Sequence, residues 1–151
     1  MSLIPGVMQK GEGIDDVHWN ILGQVYTPKA ITEDCFSWHA LLPAESFVPP
    51  HIHAKQDEFI HVRSGALDLV LDGTHLHAKE GDLVCLPRGI PHGIYNNTGH
   101  DVMCLFWVTP TGKLVDLFRK LHNMGRPDEV VALAPDYDLS FLPPVRAADV
   151  M

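Results

Sequence analysis

Short runs of alternating apolar and polar residues, punctuated by Gly, Pro and Asp, fill most of the chain between residues 21 and 110. A period of two marks strands with one buried face. Leu67, Leu69 and Leu71 alternate with Asp68, Val70 and Asp72, and Thr74–Ala78 follows the pair Asp72-Gly73. That pair is a hairpin signal, so the two runs are predicted to fold back on each other. Further strands are predicted at Ile21–Val25, Cys35–Leu42, Glu58–Val62, Leu83–Leu86, His92–Tyr95 and Asp101–Val108, with a Pro28-containing turn after the first. Strands at roughly eight-to-twelve-residue spacing predict a sandwich or a barrel.

The period changes after Pro110. Leu114, Leu117, Phe118 and Leu121 recur at steps of three and four, which predicts an amphipathic helix over about 112–122, with Thr111 as its N-cap. A second short helix is predicted from Pro127, where Asp128 and Glu129 complement the helix dipole. Phe141-Leu142-Pro143-Pro144 reads as extended. The organisation expected is an irregular arm over residues 1–20, a β-barrel domain over 21–110, and a helical extension with a tail over 111–151.

Composition narrows the class. The chain has 151 residues, 46% hydrophobic and 20% charged, enough for one domain with a sizeable core. Its net charge of −8, with no Lys/Arg cluster, argues against nucleic acid or an anionic membrane surface as partner. No apolar run approaches the ~20 residues that span a bilayer, and no signal-peptide pattern opens the chain, so a cytoplasmic location is expected. Cys35, Cys85 and Cys104 form no CxxC pair and read as small buried hydrophobes.

The candidate chemistry lies in the stretch from Pro49 to Gly65, PPHIHAKQDEFIHVRSG. His51 and His53 are two apart and therefore share one face of a strand; Glu58 opens the next strand, with Lys55, Gln56 and Asp57 suited to the turn between. Pairing those strands brings two imidazoles and a carboxylate towards one point. A further stretch, GDLVCLPRGIPHGIYN over 81–96, offers His92 as a fourth donor.

Together the two stretches resemble the motifs of the cupin superfamily. The first motif, G(x5)HxH(x3–4)E(x6)G, falls on His51, His53, Glu58 and Gly65; the second, G(x5)PxG(x2)H(x3)N, falls on Gly81, Pro87, Gly89, His92 and Asn96. The opening glycine of the first motif is replaced by Glu45, which touches the turn and not the donors. The Asp57-Glu58-Phe59 run and the tail PTGKLVDLF…FLPP more loosely resemble single-domain quercetin-dioxygenase-like cupins.

The resemblance implies an all-β double-stranded β-helix, or jelly roll, with one or two short C-terminal helices. It implies one divalent transition metal (Fe, Mn, Ni, Co or Zn) held by His51, His53, Glu58 and His92, with Glu58 also a candidate general base. Three imidazoles and one carboxylate on a hexacoordinate ion leave two open positions, a logic that parallels the two-His-one-carboxylate triad of non-haem iron oxygenases. The activity implied is a metal-dependent dioxygenase acting on a small aromatic or enolisable substrate. A redox-neutral isomerase, lyase or decarboxylase and a non-catalytic binding module are the alternatives. A homodimer is also implied.

Phe47, Ile60, Ile94 and Asn96 are candidates for the substrate pocket. Trp38, Phe106 and Trp107 could join them, although aromatic residues on strands are more often core or interface. His75 and His77 repeat the HxH spacing, with Glu80 beyond, but lack the surrounding Gly and Pro framework and are expected on a solvated face. His61 is expected on the face opposite Glu58.

Overall fold

The structure is a computed structural model that describes residues 3–142. Eleven strands form it: β1 (Trp19–Ile21), β2 (Gln24–Ile31), β3 (Phe36–Leu42), β4 (Phe47–His53), β5 (Asp57–Ser64), β6 (Ala66–Leu71), β7 (Thr74–Lys79), β8 (Leu83–Leu86), β9 (His92–Tyr95), β10 (Val102–Thr109) and β11 (Leu139–Phe141). The helices are α1 (Leu114–Leu121) and α2 (Pro127–Leu133). One antiparallel sheet runs β1-β2-β3-β10-β5-β8 and faces a second, β11-β4-β9-β6-β7. Apart from β1-β2-β3 and β6-β7, neighbours in space are distant in sequence, as in a double-stranded β-helix.

Period-two burial builds the core between the sheets. In β3 Phe36, Trp38, Ala40 and Leu42 point inward, and in β10 Val102, Cys104, Phe106 and Val108 do the same. Trp38 stacks between Phe36 (4.7 Å between centroids) and Phe106 (5.3 Å). Each such side chain contributes about 1.5–3 kcal/mol on leaving water. Helix α1 presents Leu114, Val115, Leu117, Phe118 and Leu121 to the barrel. Phe118 sits edge-on to Tyr26 (5.1 Å) and Trp38 (5.2 Å), which fixes the helix against the aromatic cluster.

Several local expectations change. The expected strand Ile21–Val25 is split by a turn at Leu22 (φ 51°) and Gly23 (φ 88°), a left-handed pair that suits a two-residue hairpin. Leucine in the first of these positions hid the signal. Pro28 does not turn the chain. It lies in β2 at a bulge, beyond the part of that strand that β1 covers, so no partner needs its missing N–H. Thr111 is not a helix cap: Lys113 holds that place, and Thr111 Oγ1 donates to the Thr32 carbonyl instead.

Cys85 is exposed rather than buried, because β8 is an edge strand that turns Leu83 and Cys85 outward; only Cys104 is fully buried. The tail, expected to be extended, adds β11 to the edge of β4 up to Phe141; Pro143 and Pro144 lie outside the described residues. Among the described residues no helix is long and apolar enough to cross a membrane.

Candidate metal centre

The two sheets meet over the four predicted donors. β4 supplies His51 and His53, its neighbour β9 supplies His92 directly opposite His51, and β5 of the facing sheet supplies Glu58. Pro49 and Pro50 interrupt β4 before the histidines. Neither residue can donate to the ladder, and the register shifts between Val48 and His51. After that bulge His51 and His53 both face inward. All four residues are buried, with one potential ligand atom from each lying within 4.8 Å of the others.

The hydrogen bonds around the rings decide what they present to the centre. His51 Nδ1–H donates to the Pro49 carbonyl (2.7 Å) and His92 Nδ1–H to the Ile90 carbonyl (3.3 Å). A carbonyl only accepts, so the proton sits on Nδ1 and each Nε2 keeps a lone pair. His53 Nδ1 lies 2.9 Å from Gln56 Oε1. Each Nδ1 thus has an acceptor, the arrangement that orients imidazoles as metal ligands. Inside, His92 Nε2 lies 2.9 Å from Glu58 Oε2, and His53 Nε2 lies 3.7 Å from Glu58 Oε1.

An imidazole lone pair and a carboxylate oxygen at 2.9 Å are two acceptors that only a cation or a proton can bridge. The donor set therefore fits a divalent transition metal, and His51, His53, Glu58 and His92 could hold it.

Charge follows the same geometry. Burial pushes the His51 pKa down to about 3, and the neighbouring His92 and His53 push the same way. Burial alone would raise the Glu58 pKa, but the positive charge that His53 and His92 carry when protonated outweighs it and holds the carboxyl at about 2. A neutral imidazole beside an ionised carboxylate is the state that binds metal.

A cavity of about 80 Å³ adjoins the donors, walled by Tyr26, Trp38, Ile94, Phe106 and Phe118 and ending on His51, His53 and Glu58. Phe47 lies at its exposed side, and among the described residues neither lysine nor arginine lines it. Of the expected pocket residues, Phe47 and Ile94 take that place, as do Trp38 and Phe106. Ile60 does not. It is fully buried one inward step past Glu58, inside the core between the sheets.

Asn96 does not line the cavity either. Its amide nitrogen donates to the carbonyls of Leu42, Pro43 and His100, and its oxygen accepts from Thr98, so it ties loops together. Trp107 points outward and stacks on Phe59 (5.2 Å). The walls contributed by α1 and by Phe141 of β11, which lies 5.5 Å from the His51 ring, were not expected from the sequence. The alternation of Leu139 and Phe141 was the available signal.

Residues 37–109 match the cupin domain family. No curated protein matches the chain in sequence. Among solved structures, KdgF from Halomonas sp. superposes with a TM-score of 0.59 at 21% identity, over 68% of this chain and 94% of that one. A cupin-superfamily sugar phosphate isomerase from Silicibacter pomeroyi gives 0.55 at 23% identity, over 69% of each chain. Salicylate 1,2-dioxygenase from Pseudaminobacter salicylatoxidans gives 0.54 at 22% identity, over 60% of this chain and 29% of the dioxygenase. At these identities the likeness is one of fold. With the matched region, both motifs and the paired antiparallel sheets in place, residues 37–109 form a cupin domain.

Proposed function

We propose that this chain is a metal-dependent dioxygenase of a small, largely apolar, enolisable carbonyl compound. The observation that carries this reading is the aromatic-walled cavity ending on the donors, whose wall holds no lysine or arginine among the described residues. A sugar phosphate needs cations or several polar partners, which this wall does not offer beyond Gln24 and the Tyr26 hydroxyl. The volume sets a second bound. About 80 Å³ is less than the roughly 150 Å³ that holds a benzene ring. A flavonol is too large for it, and a compact enolisable chelator fits better than a fused ring system.

His51, His53, Glu58 and His92 would hold the metal. Bound there, a divalent transition metal supplies Lewis acidity and redox capacity. The protein residues do the rest. Tyr26, Trp38 and Phe106 orient the apolar body and exclude water, while Gln24 Oε1 accepts the Tyr26 hydroxyl proton at 2.7 Å and fixes that ring. Glu58 Oε1, 3.7 Å from its nearest imidazole against 2.9 Å for Oε2, is the freer oxygen to receive the substrate's acidic proton.

The test is oxygen uptake by protein reconstituted with Fe, Mn, Ni, Co or Zn, over a panel of β-dicarbonyl, catechol and hydroxy-acid substrates. The expected result is uptake that a Glu58→Gln substitution lowers by roughly 10²–10⁴-fold. Conversion of substrate without oxygen would replace this reading with an isomerase or lyase. Tight binding with no conversion would replace it with a binding module.

A further inference from the structure

His51 and His92 are each oriented by a backbone carbonyl two residues back on their own chain segment, whereas His53 is oriented by a side chain. Its Nδ1 faces Gln56 Oε1, and Gln56 is buried at 6% exposure. The other end of the Gln56 amide lies 3.0 Å from the Pro110 carbonyl and 2.6 Å from the Thr111 carbonyl. Two acceptors at that end require it to be the NH2 group, which settles the orientation of the amide. The oxygen must then face His53, and only an N–H can face that oxygen. Gly112 packs behind the amide; a Cβ there would come within 3.2 Å of Gln56 Nε2, so the position leaves little space for a side chain.

We infer that Gln56 is a positioning residue that holds His53 as its Nδ1–H tautomer and leaves Nε2 free to bind the metal. Through the same amide, Gln56 ties the metal-binding end of β4 to the turn that leads into α1. The turn at 110–111 is held from its other side by Thr111, whose hydroxyl donates to the Thr32 carbonyl. The tautomer part of the inference concerns the metal-free chain; its consequence for affinity rests on the metal site proposed above.

Two variants separate the jobs of the two ends. Gln56→Met fills the space and removes both. Gln56→Glu keeps an acceptor for His53 but turns a carboxylate oxygen towards two carbonyls. The first readout is the ¹⁵N shifts of the His53 ring in metal-free protein at pH 7.5. The second is the Kd for Co²⁺, with the visible spectrum of the bound ion. Thermal unfolding of each variant reports on the tie to the turn.

The wild type is expected to show Nδ1–H only at His53. Gln56→Met is expected to show a mixed tautomer and a Co²⁺ affinity lower by roughly 10–100-fold. Gln56→Glu is expected to keep the tautomer and bind Co²⁺ within a few-fold of wild type, with a lower melting temperature. A Gln56→Met protein that folds and keeps both the single tautomer and the affinity would overturn the inference. If no variant, the wild type included, binds Co²⁺, the metal reading fails while the ring shifts still decide the role of Gln56.

Discussion

The chain carries the pattern His-x-His twice on strands, and the two copies meet opposite fates. His51 and His53 on β4 are each 3% exposed and converge with Glu58 and His92. His75 and His77 on β7 point outward from the edge of the second sheet, and the His77 side chain keeps 62% of its exposure. His77 pairs with Asp68 at 2.8 Å, a contact that solvent largely screens. Both pairs have the same residue types and spacing. The difference lies in what surrounds them: a bulge that turns the first pair inward, acceptors behind each ring, and donors arriving from two other strands. Spacing creates the possibility of a site, and the framework decides whether one exists.

The sharpest way to break that comparison is to remove donors from each cluster in turn. His92→Ala is expected to abolish stoichiometric binding of Co²⁺ or Ni²⁺, because it removes a ligand and strips Glu58 of its closest partner, at 2.9 Å. The double substitution His75→Ala with His77→Ala is expected to leave stoichiometry and Kd unchanged. Isothermal titration of both proteins with one metal checks the pair. Loss of binding in the double variant would mean that the exposed histidines are the site.

The contrast also shows which parts of the molecule the sequence could reveal. Alternation on strands is local, so most strands and the inward face shared by His51 and His53 could be read directly. The two motifs, with their fixed spacing, linked those residues to Glu58 and His92. The role of Gln56 could not be read that way. In the sequence it is one polar residue in a turn, and its partner Thr111 lies 55 positions away. Ile60 and Asn96, expected at the pocket, do not line the cavity, for a related reason. Facing inward does not say whether a side chain meets a cavity or core, and Asn96 spends its amide on loops whose approach no local pattern encodes.

Acidity sharpens the same comparison at the level of stability. His51 is buried and neutral with its pKa at about 3, and burial together with Arg63 and Lys29 lowers His39 to about 4. Unfolding returns both to the ordinary imidazole value of 6.5, so between pH 6.5 and those lowered values the unfolded chain binds more protons. Stability of the metal-free protein is therefore fully present above pH 6.5 and falls as the pH drops towards 3. Glu58 adds to the loss below its ordinary value of 4.5, since its folded pKa is held at about 2. Urea midpoints at pH 7.5, 5.5 and 4 are expected to fall in that order. A flat profile would show that the imidazoles near Glu58 are already charged in the folded state.

The smallest expected effect concerns the turns that launch the two His-x-His strands. β7 follows Asp72 (φ 48°) and Gly73 (φ 81°), residue types that tolerate left-handed backbone. β4 follows a turn in which Glu45 has φ 66°. This is the position where the family motif has glycine. The turn is held by Ser46 N–H donating to the Pro43 carbonyl and by Glu45 N–H donating to the Asn96 carbonyl, so the backbone keeps its shape at the expense of the side chain. Left-handed backbone costs a residue with a Cβ about 1–2 kcal/mol. Glycine would remove that strain but lose roughly 0.5–1 kcal/mol to the greater freedom of its unfolded chain. Glu45→Gly is therefore expected to stabilise the protein by about 0.5–1 kcal/mol, with metal affinity unchanged because the turn carries no donor. Thermal melts and a metal titration check the two halves together. A destabilised variant would mean that the Glu45 side chain supports the turn, and that replacing the motif glycine is an adaptation of this chain.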